Sequence, residues 1–446
     1  MRAPVLPALR LRGSDLREHA LPLAVAAVCA LTVAVGWTAR ALGVVWGTPR
    51  QPFLGTFGMQ VSPWAIPGAI VLALCAWQAV RIARPAATGP RAFMVWTLGL
   101  ALASRLAVNV ARIGPHGWTD MYSIAPEASN EYLPALPALE GGLGLLLDRF
   151  AEWLPALPVH SAGHPPGLLI TMDVLGVDTA GGLAALIIGV GVISAPLVYA
   201  LGRELSGEGP ARLATVLWIF APSALLYGAS AADALFATLG LLGATVVVLS
   251  PSRGSLVRRL ALPLGAGLLA VASFFAWSLL GMAAWAVFLV ALRDGLRRGV
   301  VAGAVIAAAL VALYAALWAL TGFEVVEVLR RTEEVYRFSV ASVRPYAFWL
   351  FGSPAAFLIG CGLPVLWFAA RALQRRDRGA LALAGVIVIA SVAGFTKAET
   401  ERIWLSFLPL ACLAAATSLP PRWLVPAVAI MAVQAFLVQV LLYTVW

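Results

Sequence analysis

The residues able to do chemistry crowd into one stretch of this 446-residue chain. Three of its four histidines, His116, His160 and His164, fall between Gly114 and Gly167, with six carboxylates: Asp120, Glu127, Glu131, Glu140, Asp148 and Glu152. Only 12% of the chain is charged, so titratable groups are concentrated where proton transfer or anion binding should be sought first. Polar residues also belong in any solvated loop. A long connection without regular structure, however, is usually a functional one. Asp120 and Glu131 lie in the run TDMYSIAPEASNEYLP, beyond Arg112. A carboxylate held just outside a membrane near cations can take a proton from a hydroxyl while an anionic group departs. Asp120, tied closely to the Arg-bearing segment before it, is placed first as that base and Glu131 second; solvation explains a lone loop acid equally well.

Cations supply the other half. Arg105, Asn109 and Arg112, spaced i, i+4 and i+7, share one helical face that must meet protein or a wet cavity rather than lipid. Arg112 can snorkel to headgroups, whereas Arg105 lies roughly 10 Å deeper along the helix. His160 and His164 flank Ser-Ala-Gly and precede Pro165-Pro166-Gly167. HxxxH on a helix would suit a metal, but Gly163 and the prolines weaken that helix, so hydrogen bonding to a phosphate or sugar is the better reading. No organic cofactor is expected, and a divalent metal stays open. Asp233, in APSALLYGASAADALFATLG, sits at a helix start, where an N-cap is the plain alternative to substrate binding. Lys397 is the only lysine of the chain and shares the run KAETER with Arg402.

The elements that position these residues follow from composition. With 61% apolar residues and a mean hydropathy of +0.90, the chain reads as an all-α polytopic integral membrane protein. About 13 spans are expected, at 20–46, 61–80, 92–112, 181–201, 210–227, 232–250, 260–276, 278–292, 299–320, 347–369, 379–395, 403–418 and 423–443. The first run exceeds a signal-peptide core and reads as a retained span behind a cytoplasmic segment 1–19. Residues 20–446 then form a single domain, with 114–167 as the first large extracytoplasmic loop and 321–346 as the second.

With the N-terminus inside, the distribution of the 31 Lys and Arg residues favours that orientation, while most acids fall outside. The formal charge of +10 is therefore topological, and nucleic acid is not an expected partner. Nearly exclusive use of Arg over Lys, with abundant Ala and Gly, points to a bacterial inner membrane. The four cysteines stand apart without metal or disulfide spacing.

Two outer segments should form amphipathic juxtamembrane helices. Gly142 to Leu154 puts Leu143, Leu146, Leu147, Phe150 and Trp153 on one face and Asp148, Arg149 and Glu152 on the other, the pattern of a helix lying in the bilayer surface. Thr321 to Tyr346 carries Glu327/Arg331 and Glu333/Arg337 at i,i+4 spacing.

With these residues in view, the chain resembles the GT-C superfamily of membrane glycosyltransferases, which includes protein O-mannosyltransferases and lipid A aminoarabinose transferases. The acidic loop with Asp120 and Asn130-Glu131-Tyr132 is similar to that family's catalytic-acid loop. His164-Pro165-Pro166-Gly167 is similar to its HPP element, Pro222 with Asp233 to its proline-then-Asp pattern, and Glu401-Arg402-Ile403-Trp404 with Pro409 to an Arg-aromatic-proline element near its last spans. The family's usual adjacent acid pair is here Asn130-Glu131.

The resemblance implies a GT-C-like fold and transfer of a sugar from a polyprenyl-phosphate donor to an acceptor hydroxyl of a cell-envelope glycan, lipid or protein. On that reading Asp120 or Glu131 is the base, Arg105, Arg112, His164, Lys397 and Arg402 meet the donor phosphate, and Tyr132, His160 and Asp233 meet substrate. A lipid-linked sugar flippase or other transporter is the competing expectation; polar residues would then line a path through both leaflets.

Overall fold

In lipid, backbone polar groups must be satisfied within the segment that carries them, so the apolar runs fold as helices. The structure, a computed structural model, describes residues 18–123, 126–249 and 256–444, so all but Glu18 and His19 of the expected segment 1–19 lie outside the described residues. The first helices are α1 (Ala20–Ala41), α2 (Ala65–Ile82) and α3 (Pro90–Ile113). A long connection holds α4 (Leu143–Trp153) and α5 (Gly167–Leu175). Next come α6 (Ala180–Ser206), α7 (Glu208–Phe220), α8 (Pro222–Ser230), α9 (Asp233–Leu249) and α10 (Leu256–Ser273). The chain goes on through α11 (Leu280–Asp294), α12 (Leu296–Thr321), α13 (Val325–Phe338), α14 (Tyr346–Gly360) and α15 (Leu363–Gln374). It finishes with α16 (Arg378–Ala393), α17 (Leu408–Ser418) and α18 (Leu424–Leu441).

Among the described residues, 7 helices are long and apolar enough to cross a membrane, or up to 9 if two bent pairs each count as one span. This is a multi-pass all-α membrane protein. The bent pairs correct two expected straight spans. The expected 210–227 breaks at Ala221, extended ahead of Pro222, where the chain turns by 57° between α7 and α8. Proline cannot donate a helical hydrogen bond, and it pushes the residue before it out of the helical region. The expected 347–369 turns by 113° between α14 and α15, at Gly362 with φ 101°. The two breaks meet: a Cβ on Gly362 would lie 3.1 Å from Cδ of Pro222 and 2.9 Å from Cγ of Met431.

The core follows from which helices are apolar all round. Every residue of α8 is buried, as are nearly all of α17 and most of α7 and α9, whereas α1 and α12 turn most of their surface outward. The four cysteines are buried and free. α1 ends at Ala41, short of the expected 46, and glycines at 43 and 47 take positive φ in the connection that follows. That connection contains β1 (Thr56–Phe57), which pairs antiparallel with β2 (Leu442–Tyr443) and clamps the segment after α1 to the end of α18.

The segment 114–167 is a chain of short helical turns rather than an open loop. α4 forms as expected, but its apolar face is not given to lipid: Leu146, Leu147 and Phe150 are buried in the protein core, with Phe150 6.2 Å from Phe323. α13 carries both expected i,i+4 ion pairs, Arg331 to Glu327 at 3.0 Å and Arg337 to Glu333 at 2.5 Å.

Candidate functional site

Asp233 reaches its position because α8 ends at Ser230, the backbone extends through Ala231, and Asp233 opens α9. Opposite stands the KAETER turn. Ala398 (φ 70°) and Glu399 (φ 58°) are consecutive non-glycine residues in the left-handed region, each costing on the order of 1–3 kcal/mol. Neighbours hold the turn in place: Lys397 N donates to Tyr336 Oη at 2.8 Å, and Thr400 Oγ1 donates to the Ser353 carbonyl at 2.6 Å. The result brings Glu399 and Arg402 to one side, with Arg402 Nη2 3.1 Å from Glu399 Oε2.

From there charges alternate. Arg402 Nη1 donates to Asp233 Oδ2 at 2.6 Å, and Arg344 Nη2 donates to Glu399 Oε1 at 2.6 Å. All four side chains are mostly or fully buried, so each charge depends on the next. Burial works against the charge on Arg402, but Asp233, Glu399 and Glu131 outweigh it and lift its pKa above the ordinary arginine value. Burial likewise opposes the Glu399 carboxylate, yet Arg344 and Arg402 hold it below the usual carboxylate range.

Glu131 is 2% exposed, and its Oε1 lies 3.7 Å from Nε2 of His160. The rings of His160 and His164 both lie 6.5 Å from that of Tyr132, and His164 is 5.2 Å from Phe236. Burial, then Arg402, pushes the imidazoles down to about 3 for His160 and about 4 for His164, so both are neutral at neutral pH. Burial and then Glu131 raise the phenols of Tyr122 and Tyr132 well above their usual value. Neutral donors and acceptors therefore surround a buried carboxylate.

Four atoms of this cluster, Tyr122 Oη, Tyr132 Oη, Ser161 Oγ and His164 Nδ1, are buried without a hydrogen-bond partner among the described residues. Each such group costs roughly 1–3 kcal/mol when left unpaired, so together they offer donors and acceptors to a polar ligand. The Pro-Pro-Gly run has a packing reason of its own. Gly167 N donates to the Phe274 carbonyl at 3.0 Å, and a Cβ there would collide with that same oxygen.

The other expected residues divide into three groups. Arg112 lies beside the cluster: its guanidinium is 5.1 Å from the Tyr443 ring, with Nε and Nη1 buried and unpartnered. Asp120 and Tyr227 are within its electrostatic reach, and Tyr227 is also within reach of Glu401 and Arg402. Arg105 is spent deeper in the bundle, 5.0 Å from the Trp218 ring and 3.4 Å from the Gly228 carbonyl. Lys397 turns away from the cluster and donates to the carbonyls of Ala341 at 3.0 Å and Arg344 at 2.8 Å.

The His-x-x-x-His spacing does not put both imidazoles on a helix. The short helix Val159–Gly163 ends before His164, whose backbone is extended. Among the described residues no group of three or more His, Cys, Asp or Glu is placed to hold a metal.

Glu399, Glu401, Arg344 and Tyr122 belong to the site without having been expected there. The signal was the density of acids in KAETER; what could not be read was which of them faces inward. Glu401 Oε1 accepts from Leu54 N at 3.1 Å while Oε2 is buried and unpartnered, and burial pushes its carboxyl up to about 7. Two cavities, of about 320 Å³ around Trp37, Arg40, Arg50 and Phe57 and of about 280 Å³ around Arg293 and Arg376, do not open onto this cluster. Compared with protein-family models, with curated proteins and with solved structures, the chain matches none.

Proposed function

We propose that this chain is an integral-membrane glycosyltransferase that moves a sugar from a polyprenyl-phosphate donor to an acceptor hydroxyl. The observation that carries the reading is the buried Glu131 carboxylate, set among the unpartnered hydroxyls of Tyr122, Tyr132 and Ser161 and the unpartnered Nδ1 of His164, at the same end of an apolar bundle as Arg112, whose Nε and Nη1 lack partners. A sugar offers hydroxyls to the first set, and a lipid phosphate offers an anion to the second. On this reading Glu131 takes the proton of the acceptor hydroxyl, whose oxygen then attacks the anomeric carbon. The bond from that carbon to the phosphate oxygen breaks, and the electron pair leaves with the polyprenyl phosphate, whose charge Arg112 meets.

Arg402, already engaged by Asp233 and Glu399, acts as a positioning residue that holds the acids and histidines in register. Asp120, half-buried beside Arg112, then lies at the donor end rather than at the acceptor. The reading includes the bacterial plasma membrane, an outward-facing site and a count of about 13 crossings: the 7 long helices, the 2 bent pairs and the 3 shorter apolar helices supply twelve, and the expected 403–418, whose helix is Leu408–Ser418, is the thirteenth.

The test is incubation of the purified protein, reinserted into vesicles, with labelled polyprenyl-phosphate sugars and a cell-envelope extract. Transfer of label to a hydroxyl-bearing product with release of polyprenyl phosphate is expected. Label that crosses the bilayer still attached to its lipid would make the chain a transporter instead.

A further inference from the structure

At the far end of the bundle the chain carries a second polar feature. Asp233 opens α9, and Arg293 Nη2 donates at 3.0 Å to the carbonyl of Val248, one residue before that helix ends. Seventeen residues at 1.5 Å each separate the two ends by about 25 Å, so what surrounds Arg293 is remote from Glu131 and Arg402. There a cavity of about 280 Å³ opens between the ends of α6, α11 and α17 and the turn from α15 to α16.

Its rim and floor differ in chemistry. Arg376 and Arg378 line it as exposed residues and Arg293 as a half-buried one, while Leu410 and Leu413 line it as buried residues and Leu205 as a half-buried one. Arg293 is committed, at 3.1 Å from Asp294 and 3.7 Å from Glu204. Asp377, the acid between the other two arginines, accepts from Ala380 N at 2.9 Å and caps α16. The side chains of Arg376 and Arg378 have no hydrogen-bond or ion-pair partner among the described residues; the Arg376 N–H donates to the Leu373 carbonyl at 2.9 Å, and Arg376 is held with φ 58°, a strained conformation for a residue with a Cβ. Two like charges over an apolar floor are arranged for an anion that brings hydrocarbon with it.

We propose that this cavity binds the headgroup of an anionic phospholipid of the adjacent leaflet, its phosphodiester between Arg376 and Arg378 and its acyl chains along the leucines. Basic pockets between membrane helices take such headgroups by charge-assisted contacts. A free anion would not need the apolar floor, and a zwitterionic headgroup brings a cation that the arginines repel.

The full-length chain in detergent is titrated with dioleoyl phosphatidylglycerol and its thermal midpoint followed; dioleoyl phosphatidylcholine and inorganic phosphate are the comparison probes. Saturable stabilisation by phosphatidylglycerol alone is expected. R376G/R378Q should need about tenfold more of it or greater. Glycine adopts the same φ without strain, so that variant keeps its turn. R330Q/R337Q, altered on the surface helix α13, should titrate like the unaltered chain. The proposal is overturned if R376G/R378Q titrates like the unaltered chain, if R330Q/R337Q weakens binding equally, or if phosphatidylcholine or inorganic phosphate stabilises as well as phosphatidylglycerol.

Discussion

Arg402 and Asp233 stand 169 positions apart in the chain and meet at 2.6 Å, buried, at the junction of α8, α9 and the KAETER turn. This pair joins the start of α9 to the KAETER turn where the candidate site lies. Taking two charges out of water is costly, and the cost is offset only while each keeps its partner. Glu399 and Arg344 extend the alternation, so no member of the chain of charges is independent of the rest.

Arg402→Met should therefore destabilise by about 3–5 kcal/mol, because it strands Asp233 and removes one partner of Glu399. Asp233→Asn should cost less, since Arg402 keeps Glu399. Thermal unfolding of the detergent-solubilised variants measures both. R402M/D233L should recover part of the loss, and a double variant no more stable than R402M would show that the pair is not coupled.

Glu401 predicts a pH dependence. Burial pushes its carboxyl up to about 7 from the usual 4.5, so the folded chain holds the proton more tightly than the unfolded one. Stability from this group is fully present below about pH 4.5 and is lost as pH rises through 7, on the order of 3 kcal/mol in all. Glu401→Gln should flatten the difference in thermal midpoint between pH 5 and pH 8. An unchanged slope would mean that another group sets it.

Lys397→Met tests a division of labour. Its ammonium is spent on the carbonyls of Ala341 and Arg344, and the side chain is half-buried, so its loss should cost about 1–3 kcal/mol after allowance for exposure. Limited proteolysis should become faster within 339–345, while the KM for a lipid-phosphate donor stays as it was. A raised donor KM with unchanged proteolysis would return Lys397 to the phosphate.

Local features were legible and distant pairings were not. The i,i+4 ion pairs of α13 and the apolar face of α4 follow from helical period alone, which needs no knowledge of the fold. That the same face of α4 meets Phe323 rather than lipid depends on where another segment folds back. The break at Pro222 has a chemical signal, but the sharper turn at Gly362 is fixed by how closely Pro222 and Met431 approach it. Glu399 points inward because Ala398 and Glu399 adopt the left-handed conformation, which neither residue type announces. The partner choice of Arg402 is of the same kind.

The base is the sharpest prediction, because two carboxylates of one segment are placed in different surroundings. Asp120 precedes Tyr122 on the short helix Asp120–Ser123, half-buried, within reach of Arg112. Glu131 is 2% exposed, 3.7 Å from His160, and lies within reach of two phenols that lack hydrogen-bond partners. A general base must lie within reach of the proton it takes, and the unpartnered Tyr122, Tyr132 and Ser161 hydroxyls and His164 Nδ1, which could hold a sugar alcohol, belong to the cluster of Glu131. Glu131→Gln keeps the shape and removes the charge, so turnover at saturating donor and acceptor should fall by about 10²- to 10⁴-fold. Asp120→Asn should lower turnover less and act mainly on donor KM, as should Arg112→Gln, since both stand at the proposed phosphate site. All three variants should elute as the unaltered protein does on size exclusion. If Glu131→Gln turns over normally while Asp120→Asn does not, the base is Asp120, and the buried cluster around Glu131 serves binding alone.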